Sequence, residues 1–165
     1  MTRAGSEEPV AWLDRGQQRA WRAYLVGTTL LMDRLDRDLR DQHGVSLPEY
    51  EILSRLSEAP GHQMRMAMLA DSANFSRSRV THTVNRLEKS GLVARRPAVS
   101  DARGVEAALT DDGFAVLEAA APTHVRGVRT FLVDLAGSED FAAVGRVFDA
   151  VTDRLVCGHE AMDIR

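Results

Sequence analysis

Apolar residues recur at threes and fours through most of the chain, the spacing of helices that bury one face. From Val10 to Gln42 the stripe is Trp21, Tyr24, Leu25, Thr28, Leu31, Met32, Leu35 and Leu39, and Gly44 is placed to end it. A helix of that length spans roughly 48 Å. That exceeds the width of a small domain, so part of the stripe should meet another segment or another chain. Ser46-Leu47-Pro48-Glu49 reads as a capping box with proline in the first turn. It opens a helix to about Ser57 with Tyr50, Leu53 and Leu56 inward, which Ala59-Pro60-Gly61 breaks. A short helix over Met66–Ala73 and a turn at Asn74-Phe75 follow. Ser76 then caps a fourth helix to about Ser90, with a narrow stripe of Val80, Val84 and Leu87. Two short helices joined by a tight turn form a helix-turn-helix pattern.

The pattern then changes. Leu92–Pro97 and Val105–Leu109 read as two short strands around a polar tip, Ala98–Gly104. Thr110, followed by Asp111 and Asp112, caps a further helix whose apolar face runs from Phe114 to Leu135. Pro122 is expected to kink it or split it in two. Gly137-Ser138-Glu139-Asp140 starts a last helix striped with Phe141, Val144, Phe148, Val151 and Leu155. The predicted fold is therefore mainly α with a small β-hairpin. Residues 46–109 form a central module, 10–45 and 110–165 a helical region that pairs between two chains, and 1–9 a disordered tail. Pairing of the two ends is the simple way to bury stripes that the central module cannot cover.

Charge sharpens this division. The 165 residues carry 21 Lys+Arg and 24 Asp+Glu, a net −3, which argues against a uniformly basic coat. The charge is unevenly spread. Residues 1–62 hold eight Arg against ten Asp/Glu, 63–109 hold eight Lys/Arg against four, and 110–165 hold five Arg against ten. A basic middle of +4 thus lies between acidic arms, as in a nucleic-acid-facing module whose flanks face elsewhere. Of the 21 basic residues only Lys89 is lysine. Arginine suits bidentate phosphate and guanine contacts better than lysine does, although a GC-rich genome produces the same bias. No apolar run is long enough to span a membrane, and the N-terminus lacks the apolar core of a secretory signal. A single cysteine, Cys157, provides no intramolecular disulfide, so a cytoplasmic location is expected.

The fourth helix carries the candidate chemistry. Ser76, Arg77, Ser78, Arg79, Thr81, His82, Asn85, Arg86 and Lys89 surround its stripe, with no acidic residue before Glu88. Such a helix suits a major groove: arginine for guanine or phosphate, asparagine for adenine, serine and threonine for phosphate or the thymine methyl. A solvated amphipathic helix has a similar composition. The hairpin favours the first reading, because Arg95 and Arg96 approach its tip and Arg103 leaves it, as in a wing beside a recognition helix. Asp101 is acidic where phosphate should lie near, so it is expected to structure the wing.

The stretch Phe75–Thr110 resembles the core of the MarR family of winged helix-turn-helix regulators. The shared features are Leu87-Glu88, Gly91-Leu92-Val93, Arg95 or Arg96, Asp101-Ala102-Arg103 and Leu109-Thr110, in that order and spacing. Ala107 departs from the β-branched residue usual there and is expected to weaken the second wing strand. The resemblance implies a winged helix-turn-helix domain between dimerisation helices, and a homodimer on a pseudo-palindromic double-stranded DNA operator. Half-sites should then lie about one helical turn apart. It further implies a repressor, less often an activator, responsive to a small molecule or oxidant.

An effector crevice for a small aromatic or anionic molecule is expected to be bordered by Trp21, Tyr24, Met32, Tyr50 and Met66, for which core packing is the plainer role. Some members of the family sense peroxide through a cysteine in the first helix, and this first helix has none. Cys157 is therefore expected to be inert. His43, His62, His82 and His124 are scattered, and Cys157-Gly158-His159-Glu160 lacks a full ligand set, so no metal or other cofactor is expected. Without a phosphate loop, nucleophile elbow or HExxH motif, an enzyme has little support. A winged-helix protein adaptor that binds no DNA remains the alternative.

Overall fold

The computed structural model describes residues 10–98 and 101–155, with only the backbone for 101–103. The order is α1 (Arg15–His43), α2 (Leu47–Glu58), β1 (Gln63–Arg65), α3 (Met66–Ser72), α4 (Arg77–Lys89), β2 (Val93–Ala98), β3 (Asp101–Leu109), α5 (Asp111–Phe131) and α6 (Ser138–Leu155). The chain is thus mostly helical with one small antiparallel sheet, as its apolar periodicity predicts. The tail at 1–9 and Cys157 lie outside the described residues.

Local chemistry sets most boundaries. Ser46 and Glu49 form the predicted capping box of α2: Glu49 Oε2 accepts from the Ser46 backbone N–H at 2.7 Å and from its hydroxyl at 2.6 Å. Ser76 caps α4 by accepting from the Arg79 N–H, and Thr110 caps α5 by accepting from the Gly113 N–H. The first helix begins later than its stripe suggests. Asp14 accepts from the Gln17 N–H and Gln17 reaches back to the Asp14 N–H, a second capping box that leaves Val10–Leu13 outside the helix. Gly44 ends α1 at φ 70°, where a side chain would be strained.

Two expectations fail on tertiary grounds. Pro122 does not split α5 in two, and one helix runs from Asp111 to Phe131. Proline removes one N–H from the helix, but residues on both sides of it are anchored. Leu117 and Ala120 enter the core before it, while Thr123 meets His43 at 2.8 Å and Gly127 is buried after it. The sheet also has three strands rather than two, in the order β1-β3-β2. Gly61 and His62 turn the chain at positive φ so that Gln63–Arg65 can pair with Ala108–Glu106. Ala107 therefore sits on the central strand between Met64 and Arg95, fully buried. Ladder bonds on both edges hold that strand, and the low strand propensity of alanine matters little there. The hairpin is correspondingly longer than predicted. β3 already starts at Asp101, paired with Ala98, so the predicted tip narrows to residues 99–100, outside the described residues.

The core lies between α2, α3, α4 and the sheet. It contains Ile52, Leu53, Leu56, Leu69, Val80, Val84, Leu87 and Val93. Leu35 and Leu39 of α1 and Leu117 and Ala120 of α5 close it from one side, which docks the helical arms onto the central module. Further out, the arms are uncovered. Trp21, Leu25 and Leu30 on α1 and Phe141, Val144, Phe148 and Val151 on α6 are exposed, and α6 buries none of its residues.

Where α5 leaves the sheet, backbone meets backbone. Thr110 donates from its N–H to the Leu92 carbonyl at 3.2 Å and from its hydroxyl to that of Gly91 at 2.8 Å. A Cβ on Gly113 would stand 2.1 Å from the Leu92 oxygen. No rotamer relieves a clash with backbone, so Gly113→Ala should destabilise the fold by roughly 2 kcal/mol or more. Urea unfolding measures this, and an unchanged midpoint would show that the approach is looser than described.

Candidate nucleic-acid interface

Helix geometry sorts α4 into three faces. Val80, Thr83, Val84 and Leu87 are buried. Opposite them, Ser78, His82, Asn85 and Lys89 recur at threes and fours along the outward face. Thr81 and Glu88 form the flank towards the wing, and Arg79 and Arg86 the flank towards α2. Ser78, Thr81, His82 and Lys89 are exposed, whereas Asn85 is half-buried. Arg77, at the start of the helix, is exposed as well.

The α2 flank is built on charge. Arg86 Nε donates to Glu49 Oε1 at 3.0 Å, and the Glu49 side chain is only 7% exposed. Glu49 thereby uses one oxygen to cap α2 and the other to hold α4. Arg79 lies with its guanidinium 4.0 Å from the centre of the Phe75 ring, a cation–π contact. Burial raises the Glu51 carboxyl above the usual range, against the pull of Arg79 and Arg55.

The wing flank is built on Arg95. Its guanidinium donates to Asn85 Oδ1 at 2.5 Å, to Glu88 Oε2 at 2.8 Å and to the Thr81 carbonyl at 3.3 Å. Arg96, the next residue on β2, is exposed, and the register sets Glu106 between it and Arg65. Arg77, His82, Lys89 and Arg96 form no ion pair among the described residues. Of the side chains expected to face a duplex, Ser76, Arg77, Ser78, Arg79, Thr81, His82, Asn85 and Arg86 therefore share α4 or its cap. Arg95 and Arg96 reach the same region from the wing. Arg86 and Arg95 have internal carboxylate partners, which spacing alone did not reveal: 37 residues separate Glu49 from Arg86. The side chains of Asp101 and Arg103 lie outside the described residues.

Of the five residues expected around an effector crevice, Trp21 and Tyr24 lie together on α1. Trp21 stacks on Tyr24, which meets Phe148 of α6, while Tyr50 is buried against His124 with ring centres 4.6 Å apart. Met66 packs on the core, and Met32 is exposed. A separate cleft of ≈ 230 Å³ between α1 and α5 is lined by Arg34, Thr123, Arg126 and Phe131, among others. No group of three or more potential metal ligands gathers among the described residues, and no described helix is long and apolar enough to cross a membrane.

Sequence reasoning did not find Asp36. This α1 residue accepts from the Leu47 backbone N–H at 2.8 Å and pairs with Arg40 at 2.6 Å, so it ties α1 to the start of α2. Burial alone would raise its carboxyl. The Arg40 and Leu47 bonds and the nearby charges of Arg40 and Arg86 outweigh burial and hold it below the usual range. A depressed folded pKa stabilises at pH above the unfolded value, about 3.9, and that stability is lost as pH falls through the folded value. Asp36→Asn should therefore be less stable than wild type at pH 7, and the gap should close below about pH 4. Urea midpoints across pH test this, and a gap that stays constant would remove the charge from the account.

Comparison with known proteins places this geometry. The model of the MarR family matches residues 43–104. The HTH-type transcriptional regulator PecS of Dickeya dadantii is 30% identical over 132 residues, covering 74% of this chain and 79% of that protein. A MarR family transcriptional regulator from Streptomyces coelicolor, solved in complex with DNA, is 41% identical with a TM-score of 0.84. The match covers 87% of this chain and 94% of that one. AbsC, another MarR family regulator from the same organism, is 37% identical with a TM-score of 0.84, covering 88% and 98%.

Proposed function

The chain belongs to the MarR family of transcriptional regulators, and we propose that it acts as a homodimeric repressor that sets α4 into the major groove of a pseudo-palindromic operator. Membership makes it a DNA-binding regulator; the mode of binding, the assembly and the sign of regulation are our reading. The observation that carries it is the outward face of α4. Ser78, His82, Asn85 and Lys89 stand in a row, Arg77 and Arg96 beside them form no ion pair among the described residues, and Glu88, the carboxylate of α4 itself, is paired with Arg95. Donors spaced along one helix face can meet base edges while the arginines meet phosphates. Arg77, Arg79, Arg96 and Arg103 are assigned to the backbone, His82 and Asn85 to base edges, and Ser76, Ser78 and Thr81 to either. Arg86 contributes its exposed half, and Asp101 sets the wing.

Residues 46–109 would then be the DNA-binding domain, and 10–45 with 110–165 the dimerisation region. The apolar faces of α1 and α6 support this, since Trp21, Leu30, Phe148 and Val151 stay exposed among the described residues of one chain. The acidic surplus of both arms keeps them from competing for phosphate. An effector that changes how the arms meet would move the two α4 helices relative to each other and release the operator. Contacts of Trp21, Tyr24, Met32, Tyr50 and Met66 with such a small aromatic or anionic molecule require that they border it in the assembled dimer.

Gel-shift titration on duplex from the gene's own upstream region tests the reading. Affinity should fall steeply as salt rises, because each neutralised phosphate releases counterion. Arg77→Ala and Arg103→Ala should each weaken binding and make the salt slope shallower by about 1. Equal affinity for upstream and random duplex would contradict the operator reading, and no affinity for either would leave a winged-helix adaptor as the better account. Sedimentation should give twice the 18.2 kDa chain mass, and Phe148→Asp should shift it towards monomer and cost operator affinity. A wild-type monomer at micromolar concentration would contradict the assembly.

A further inference from the structure

Arg95 was expected among the DNA contacts, yet its guanidinium faces the helix. Its three acceptors, Thr81 O, Asn85 Oδ1 and Glu88 Oε2, follow one flank of α4 at spacings of four and three residues. An arginine with donors placed on three acceptors, and with its charge matched by Glu88, has little left to offer a phosphate. What it does is fix an amide. Asn85 can present either an oxygen or an NH2 to a neighbour, and a free asparagine uses both at once to read adenine, accepting from N6 and donating to N7. Here a cation already occupies the oxygen. That oxygen is turned towards the wing, and a second donor approaching it would meet the Arg95 N–H groups. The Nδ2–H donors are left for the outward face.

We propose that Arg95 is a positioning residue for base readout: by holding Asn85 Oδ1 it makes Asn85 a donor, and so selects guanine over adenine at one base pair of each half-site. Guanine presents two acceptors in the major groove, N7 and O6, with no donor beside them. The inference rests on α4 being the groove helix and adds which edge it reads. It also separates the two wing arginines. Arg96, exposed one residue further along β2, remains a phosphate ligand, whereas Arg95 acts through Asn85.

The test is selection from a pool of duplexes with a randomised centre, followed by titration of the selected duplex over a range of salt. Wild-type protein should enrich guanine at one pair per half-site. Arg95→Met should reduce guanine-over-adenine discrimination there on the order of tenfold and leave the salt slope unchanged. Asn85→Asp keeps an acceptor for Arg95 but removes the donors. It should lose the guanine preference with the fold intact by circular dichroism, which keeps the test open if the methionine variant fails to fold. A uniform loss of affinity in Arg95→Met, with the slope shallower by about 1, would make Arg95 a phosphate contact and overturn the proposal. Unchanged base preference in Asn85→Asp would overturn it too. If wild-type protein enriches no sequence, the groove reading itself fails and the proposal falls with it.

Discussion

One buried carboxylate ties the framework to α4. Glu49 satisfies the orphan N–H at the start of α2 with one oxygen and holds Arg86 of α4 with the other. A charge so nearly excluded from water is tolerated only when paired and hydrogen-bonded, and here both conditions are met. The start of α2 is in turn fixed to α1 through Asp36 and the Leu47 N–H. An unbroken polar path therefore runs from the long helix, through the cap of α2, to the flank of α4. Displacement of α1 cannot leave α4 untouched without breaking one of these bonds.

On the other flank, the wing is fastened by Arg95 to α4 and by Thr110 to the turn that precedes β2. The contact of Gly113 with the Leu92 oxygen draws α5 against that same turn. The start of α5, the hairpin and the end of α4 thus share one short stretch of backbone, Gly91–Leu92. Charge is arranged to match. Of the carboxylates near α4, Glu49 is buried with Arg86 and Glu88 is paired with Arg95. Unpaired cations remain on the outward side. The net charge of −3 hides this, because it averages a basic face with two acidic arms.

Much of this was legible in the sequence because it depends on local chemistry. The capping boxes at Ser46 and the caps at Ser76 and Thr110 involve residues three apart, and the stripes of α2, α4 and α6 repeat within a few turns. The failures share a different cause. Gln63–Arg65 carries no strand pattern and is a strand only because β3 presents an edge to it. Pro122 reads as a break because the packing that carries α5 past it lies on α1, some 80 positions away (His43 to Thr123). Charge counting could not assign partners, so Arg86 and Arg95 looked as free as Arg77. Asp36 left no signal at all, since a surface-type residue on a helix is ordinary until its backbone partner is known.

The tie between Glu49 and Arg86 is most directly tested by a double-mutant cycle of Glu49→Gln and Arg86→Met, read by urea unfolding. Glutamine preserves the capping box, so Glu49→Gln isolates the ion pair from the cap. Arg86 is half-exposed and solvent screens the pair, which sets the expected coupling at about 1 kcal/mol, with the double variant less destabilised than the sum of the single ones. Additivity within about 0.3 kcal/mol would contradict the account, because α4 would then be positioned by its apolar stripe alone.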